Sequence, residues 1–352
     1  MTTSDCLTGA ANGPAPGQVL VLGAAGFLGL NLVDALLASG VTPRCARRKR
    51  TNVLALRQRK VPMVQVDLDA PDELAAAMAG VDVVFHLAGH YPRFSLDHDG
   101  AMKTGMGQLE RVLDAAANAG VRRLIYVSST ATVAPVAGRA STEADVFTEA
   151  PGLGTYHDLK WHMERRAAEE LRLEVITVCP AACLGPWDLR VGTSAMLVGL
   201  GRGLDVPHPD GVVSWVDARD VAEGLVRLGR LPKPPRRVLL SAGSLRLQEL
   251  LELAAARYGV IASRPMSDAE AIAFADAEET RAQAQGGRAA LARELVDLII
   301  HGVHLDTTLA RATLGLVFRP LEDTLVAFDE WARRVRILPP TIPPQPPQEA
   351  RS

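Results

Sequence analysis

The sequence predicts an α/β fold, a doubly wound parallel sheet followed by a smaller, mainly helical C-terminal subdomain. Three observations carry this expectation. An apolar run near the chain start ends in a glycine-rich turn, short apolar runs alternate with helical patterns over the next 160 or so residues, and that alternation loosens after Pro186.

Residues 18–22 (QVLVL) form a short, continuously apolar run of the kind a buried parallel strand requires, and residues 31–39 continue with helical periodicity. Further strands are predicted near 43–46 and at 61–66, 81–87, 123–127 and 173–179. Helical patterns lie between them at 71–79, 107–119 and 159–171. Beyond Pro186 come a helix at 193–203, strands at 212–216 and 237–240, and three further helical stretches. The expected organisation is a flexible tail at 1–17, a nucleotide-binding domain at 18–185 to which 212–241 returns, a mainly substrate-binding subdomain at 186–335, and a proline-rich tail at 336–352. Residues 267–298, rich in Ala, Glu, Arg and Gln, read as a solvated helical lobe without chemistry.

At 352 residues and 48% hydrophobic, the chain can bury a large core. A net charge of −2 argues against nucleic acid as the main partner, since phosphate binding calls for a basic excess. Cys6, Cys45, Cys179 and Cys183 fall in no disulfide or metal-site spacing and are read as reduced thiols. Residues 1–17 lack the basic and apolar regions of a secretory signal, and no run of about 18 apolar residues could span a membrane. A cytoplasmic protein acting on a small molecule is expected.

The turn Gly23-Ala24-Ala25-Gly26-Phe27-Leu28-Gly29 follows a strand and opens a helix. Glycines at this spacing let the backbone turn sharply, approach a pyrophosphate and pack helix on strand, with the helix N-terminus facing the anion. This is a dinucleotide-binding turn of the Rossmann kind. The end of the second strand selects between the two nicotinamide cofactors: an acid takes a ribose 2′-hydroxyl, whereas arginine accommodates a 2′-phosphate. Here Arg47-Arg48-Lys49-Arg50 stands without an acid, which favours NADP over NAD, with Arg48 or Arg47 as the clamp. Asp67, followed by Leu68, suits either an adenine contact or a helix cap before Pro71.

In Tyr156-His157-Asp158-Leu159-Lys160 the tyrosine and lysine are four apart, on one helix face. A phenol with a pKa near 10 is a poor acid-base group at neutral pH, and a neighbouring ammonium favours its phenolate. Ser128, Ser129 and Thr130 end the strand at 123–127, at the sheet edge where ligands bind in open parallel sheets. One hydroxyl can orient a carbonyl; Thr130 is placed first and Ser129 second.

Taken together, the glycine turn, Asp67-Leu68, His86-Leu87-Ala88-Gly89, Tyr126-Val127-Ser128-Ser129-Thr130, the Tyr156 to Lys160 motif and Pro180-Ala181-Ala182-Cys183-Leu184-Gly185-Pro186 resemble the extended short-chain dehydrogenase/reductases over about residues 18 to 335. Within that group the chain is most similar to dihydroflavonol-reductase-like proteins and hopanoid-associated sugar epimerases. The resemblance implies a cofactor lined by Leu87, Ala88, Gly89 and Ser128, a nicotinamide pocket shaped by Pro180 and Cys183, Tyr156 as the acid-base residue, and Asp220 joining the C-terminal segment to the core. It also implies a possible homodimer. Two positions depart from the pattern: Thr104-Gly105-Met106-Gly107 stands where the family places Asn-x-x-Gly, and Ala131-Thr132 stands where its dehydratases carry an acidic pair.

The expected activity is reversible hydride transfer between NADP and a carbonyl carbon of a small, fairly apolar substrate. His90, Tyr91, Arg93, Phe94, His157 and Trp187 are candidate substrate contacts. A nucleotide-sugar epimerase with tightly held NAD would use the same pair, and a non-catalytic cofactor-binding protein is the reading from a different class.

Overall fold

A computed structural model describes residues 17–89, 97–287 and 289–340. Its strands are β1 (Val19–Leu22), β2 (Arg44–Arg47), β3 (Met63–Gln65), β4 (Val83–His86), β5 (Arg123–Val127), β6 (Glu174–Pro180), β7 (Ala182–Leu184), β8 (Val212–Asp217), β9 (Arg237–Leu240) and β10 (Gly243–Arg246). Seven of them form one parallel sheet in the order β3-β2-β1-β4-β5-β6-β9. The order reverses direction between β1 and β4, the crevice where doubly wound sheets bind ligands.

Both sheet faces are covered, which is why β1 reads as unbroken apolar sequence. Val19 and Val21 point into one core with Leu32 and Leu36 of helix α1 (Phe27–Ala38). Leu20 and Leu22 point into the other, with Leu74 of α3 (Pro71–Met78), which follows the short α2 (Leu54–Gln58), Leu109 and Leu113 of α4 (His98–Asn118), and Leu159 of α5 (Thr155–Ala168). Two helices begin earlier than periodicity suggests. Asp97 caps α4 by accepting from the Gly100 amide at 3.1 Å, so the helix starts nine residues before 107. Gly105, in the part of the helix that periodicity missed, is a packing residue; a Cβ there would lie 2.7 Å from the Leu159 side chain. Helix α5 starts at Thr155, directly after Gly154 at φ +122°, rather than at 159.

The C-terminal half contains α6 (Ala195–Gly201), α7 (Ala218–Arg230), α8 (Leu247–Tyr258), α9 (Asp268–Gln285), α10 (Arg293–Ile300), α11 (Thr308–Leu314) and α12 (Leu321–Arg334). Five helices thus follow β10 among the described residues, where the sequence suggested three. The lobe expected at 267–298 is two helices, because Gly286 adopts a left-handed conformation and ends α9. The segment 212–241 does not return to the first domain as one piece. β9 joins the large sheet beside β6, and α7 packs on the core that holds α1, but β8 pairs with β7 and β10 in a separate three-stranded sheet. A third core of Leu184, Leu197, Leu251, Val296, Phe328 and Trp331 holds this smaller unit. Asp220, at the start of α7, ties the returning segment down by accepting from the Arg319 amide at 2.8 Å and pairing with its guanidinium. Cys45, Cys179 and Cys183 are buried free thiols, and no helix among the described residues is long and apolar enough to cross a membrane.

Candidate active site

The glycine turn is constrained at three points. Gly23 has φ +87°, and a Cβ there would stand 2.7 Å from the Ala88 amide nitrogen, so the turn lies directly against the segment leaving β4. The Gly26 amide donates to the Gly23 carbonyl at 2.9 Å, and Gly26 is the N-cap of α1. A Cβ on Gly29 would overlap the Gly23 carbonyl, so glycine is what lets α1 close on the turn. No side chain caps α1 and its first turn has no acid, leaving its amides and positive end facing the crevice.

Outside this turn the nucleotide side is set by the ends of β2, β3 and β4. Arg47 closes β2, and Arg48, Lys49 and Arg50 follow it exposed; none of the four pairs with a carboxylate among the described residues. Asp67 is exposed and its Oδ1 accepts from the Asp69 amide at 3.1 Å; the cap residue of α3 is Ala70, so Asp67 does not cap that helix. Leu68 offers its carbonyl to Arg111 Nε at 2.8 Å. Leu87, Ala88 and Gly89 continue from β4 beside Gly23, with the Leu87 amide donating to the Leu22 carbonyl at 3.0 Å.

Tyr156 sits in the first turn of α5 and Lys160 one turn on, with the ammonium 5.7 Å from the centre of the Tyr156 ring and 5.6 Å from that of Tyr126. Burial pushes the Tyr156 phenol well above its ordinary range, Glu294 reinforces this, and a hydrogen bond from Ser129 opposes it. The hydroxyl that meets the phenol is therefore Ser129's. Thr130, placed first from sequence, instead opens a short 3-10 turn and lines the cavity beside it. Burial draws Lys160 down to about 8, against the pull of Cys179, Glu164 and Glu294. The ammonium is buried beside the phenol, where it would hold a ribose hydroxyl of a bound dinucleotide. The glycine cradle and this lysine both fit a bound nicotinamide dinucleotide.

The phenol opens into a cavity of about 1030 Å³ between the large sheet and the smaller unit. Ala25, Phe27, Leu28, Ser128, Pro180 and Cys183 line its cofactor side; Leu197, Leu250, Leu251, Leu295 and Ile299 line the far wall. His157 and Trp187 also face it, whereas His90, Tyr91, Arg93 and Phe94 lie outside the described residues. Trp187 is held at φ +79° with the Arg59 guanidinium 4.2 Å from its ring centre, while Arg59 is bonded to Asp34 at 2.6 Å through two nitrogens. The sequence held no hint of Arg59. Nor did it point to Glu294, which approaches Tyr156 from α10, in the lobe read as bare of chemistry. A like approach is visible at Gly154, where a Cβ would lie 2.5 Å from Asp297 Oδ2.

His157 and His86 are buried and neutral, drawn by burial down to about 4 and about 3. Both folded values lie below the unfolded 6.5, so the unfolded chain takes up protons first as pH falls, and stability is lost from about pH 6.5 downwards. For His157 this amounts to about 2 kcal/mol between pH 8 and pH 5. His157→Gln should shrink the fall in urea-unfolding free energy over that interval by this amount; an unchanged fall would mean that the histidine titrates normally.

Residues 19–239 match the NAD dependent epimerase/dehydratase family. The chain belongs to that family. A putative dihydroflavonol 4-reductase of Synechocystis sp. is 29% identical over 210 residues, 58% of this chain and 60% of that one. Sterol demethylase protein B of Methylococcus capsulatus is 34% identical over 206 residues, 57% of this chain and 62% of that one. The chain thus spans about three fifths of the length of these curated relatives. Yeast methylglyoxal/isovaleraldehyde reductase, solved with NADPH, superposes on 91% of this chain and 99% of its own with a TM-score of 0.69 at 20% identity, a likeness of fold. Other solved neighbours of the fold hold NAD. Membership of the NAD dependent epimerase/dehydratase family makes this an NAD(P)-binding extended short-chain dehydrogenase/reductase, and leaves the choice of dinucleotide to the residues at the end of β2.

Proposed function

We propose that the chain is an NADP-dependent carbonyl reductase for a small, fairly apolar aldehyde or ketone. The observation that carries this reading is the Ser129–Tyr156 pair opening into a cavity with a leucine-rich far wall. Ser129 donates to and orients the carbonyl oxygen, and Tyr156 delivers the proton that this oxygen takes up. Burial keeps the phenol protonated, the form reduction needs. The bound cofactor supplies the hydride. Lys160 holds ribose hydroxyls and places a positive charge beneath the phenol, so that the phenolate left after proton transfer is stabilised. Arg47 and Arg48, at the end of β2, would hold the 2′-phosphate. Relatives named as a dihydroflavonol 4-reductase and a cinnamoyl-CoA reductase support carbonyl reduction.

The test is NADPH consumption followed at the nicotinamide absorbance across aldehydes, ketones, flavanonols and oxosteroids. Turnover of at least one class, with the alcohol formed in equal amount, is expected. Interconversion of a nucleotide sugar by the purified protein with no added cofactor would replace this reading with an epimerase.

A further inference from the structure

One turn beyond Lys160, Glu164 is buried beneath the site and binds three separate segments of the chain. It accepts from the Ser128 hydroxyl at 2.8 Å, from the Thr132 hydroxyl at 2.8 Å and from Arg237 Nε of β9 at 2.5 Å, with the Cys179 thiol of β6 at 3.4 Å. Arg237 is anchored in turn, donating to the Thr132 hydroxyl at 3.0 Å and to the Glu143 carbonyl at 2.8 Å. Ser128 and Thr132 bracket the segment that contains Ser129. Glu164 therefore pins both ends of that segment to the helix bearing Tyr156 and Lys160.

We propose that Glu164 is a positioning residue for carbonyl reduction, fixing the Ser129 hydroxyl against Tyr156 and serving as a buried counter-charge to Lys160. The proposal rests on the reductase reading for its kinetic arm only. A carboxylate suits both duties: it accepts three strong hydrogen bonds at once, and it lies on the same helix face as the ammonium four residues before it. The other groups that face Lys160 are Tyr156 on its own helix, Tyr126 and His86 from the sheet, Cys179 from β6 and Glu294 from α10. Those that face Glu164 are Arg237, Cys179 and Tyr126. Arg237 already pairs with Glu164, yet Glu164 still favours the charged form of Lys160. Removing the carboxylate charge should thus lower the Lys160 pKa.

The experiment compares the full chain with Glu164→Gln and Glu164→Asp, after checking that each melts cooperatively and binds NADPH. With the substrate found in the screen, Glu164→Gln should lower kcat about 10- to 100-fold with little change in KM, and Glu164→Asp should recover part of the loss. The alkaline limb of its kcat profile should move down by about one pH unit. A second measurement needs no turnover: in protein labelled with nitrogen-15 at lysine Nζ, the resonance that disappears in Lys160→Arg should titrate about one unit lower in Glu164→Gln. An unmoved Lys160 titration overturns the counter-charge, and parental kcat in Glu164→Gln overturns the positioning role. If no carbonyl is reduced by the parent, the reductase reading fails while the lysine titration still decides the charge coupling.

Discussion

Replacing Tyr156 by phenylalanine is expected to lower kcat for carbonyl reduction by about 10²- to 10⁴-fold while NADPH affinity stays within about threefold. The substitution removes one oxygen from a ring that otherwise keeps its place in the first turn of α5. The cofactor cradle is built elsewhere, from Gly23, Gly26, Gly29 and the N-terminus of α1. Losing the phenol leaves the carbonyl oxygen with Ser129 as its donor, and a serine hydroxyl cannot release its proton at neutral pH. NADPH titration by nicotinamide fluorescence, alongside steady-state kinetics, separates the two effects. Turnover equal to the parent's would remove Tyr156 from the mechanism, and joint loss of binding and turnover would point to a collapsed site.

Changing Arg47 and Arg48 together to alanine should weaken NADPH binding about 100-fold and leave NADH binding nearly unchanged. The figure corresponds to about 1.4 kcal/mol from each charge-assisted contact to the 2′-phosphate. Two structural facts support the size of the effect. Neither guanidinium is engaged by a carboxylate among the described residues, so neither must break an ion pair before meeting the phosphate. The strand end that carries them also supplies no acid to prefer a 2′-hydroxyl. Titrating both dinucleotides into parent and double variant measures the ratio directly. A similar loss for both, or for neither, would assign the arginines to the solvated surface.

Much of the framework was legible because local chemistry and global fold agree there. The strand at 123–127 and that at 237–240 coincide with β5 and β9, since each is a short apolar run with a clear end. The glycine turn was legible because its glycines answer a steric demand. Other features depend on tertiary placement. No pattern distinguishes Ser129 from Thr130; only the path of the chain out of β5 brings one hydroxyl to the phenol. Helix α4 starts at His98 rather than at 107, and the reason for Gly105 within it is a neighbour 54 positions away. Glu294 lies in a stretch with ordinary helical composition, and it matters only because α10 folds back over the start of α5. Arg59 is likewise invisible until Trp187 is found beneath it.

The edge strand beside β6 is contributed by Arg237–Leu240, more than fifty residues after β6 has left the nucleotide-binding region. During synthesis, β6 therefore waits with an unpaired edge, and its apolar run VITVC offers a ready template for a strand from another chain. The core beside α1 is also incomplete until α7 arrives. A gene fragment ending near residue 185, where composition suggests a boundary, would leave both the edge and that helix surface bare. Nascent chains of this protein have most need of shelter in the interval between those two points of emergence.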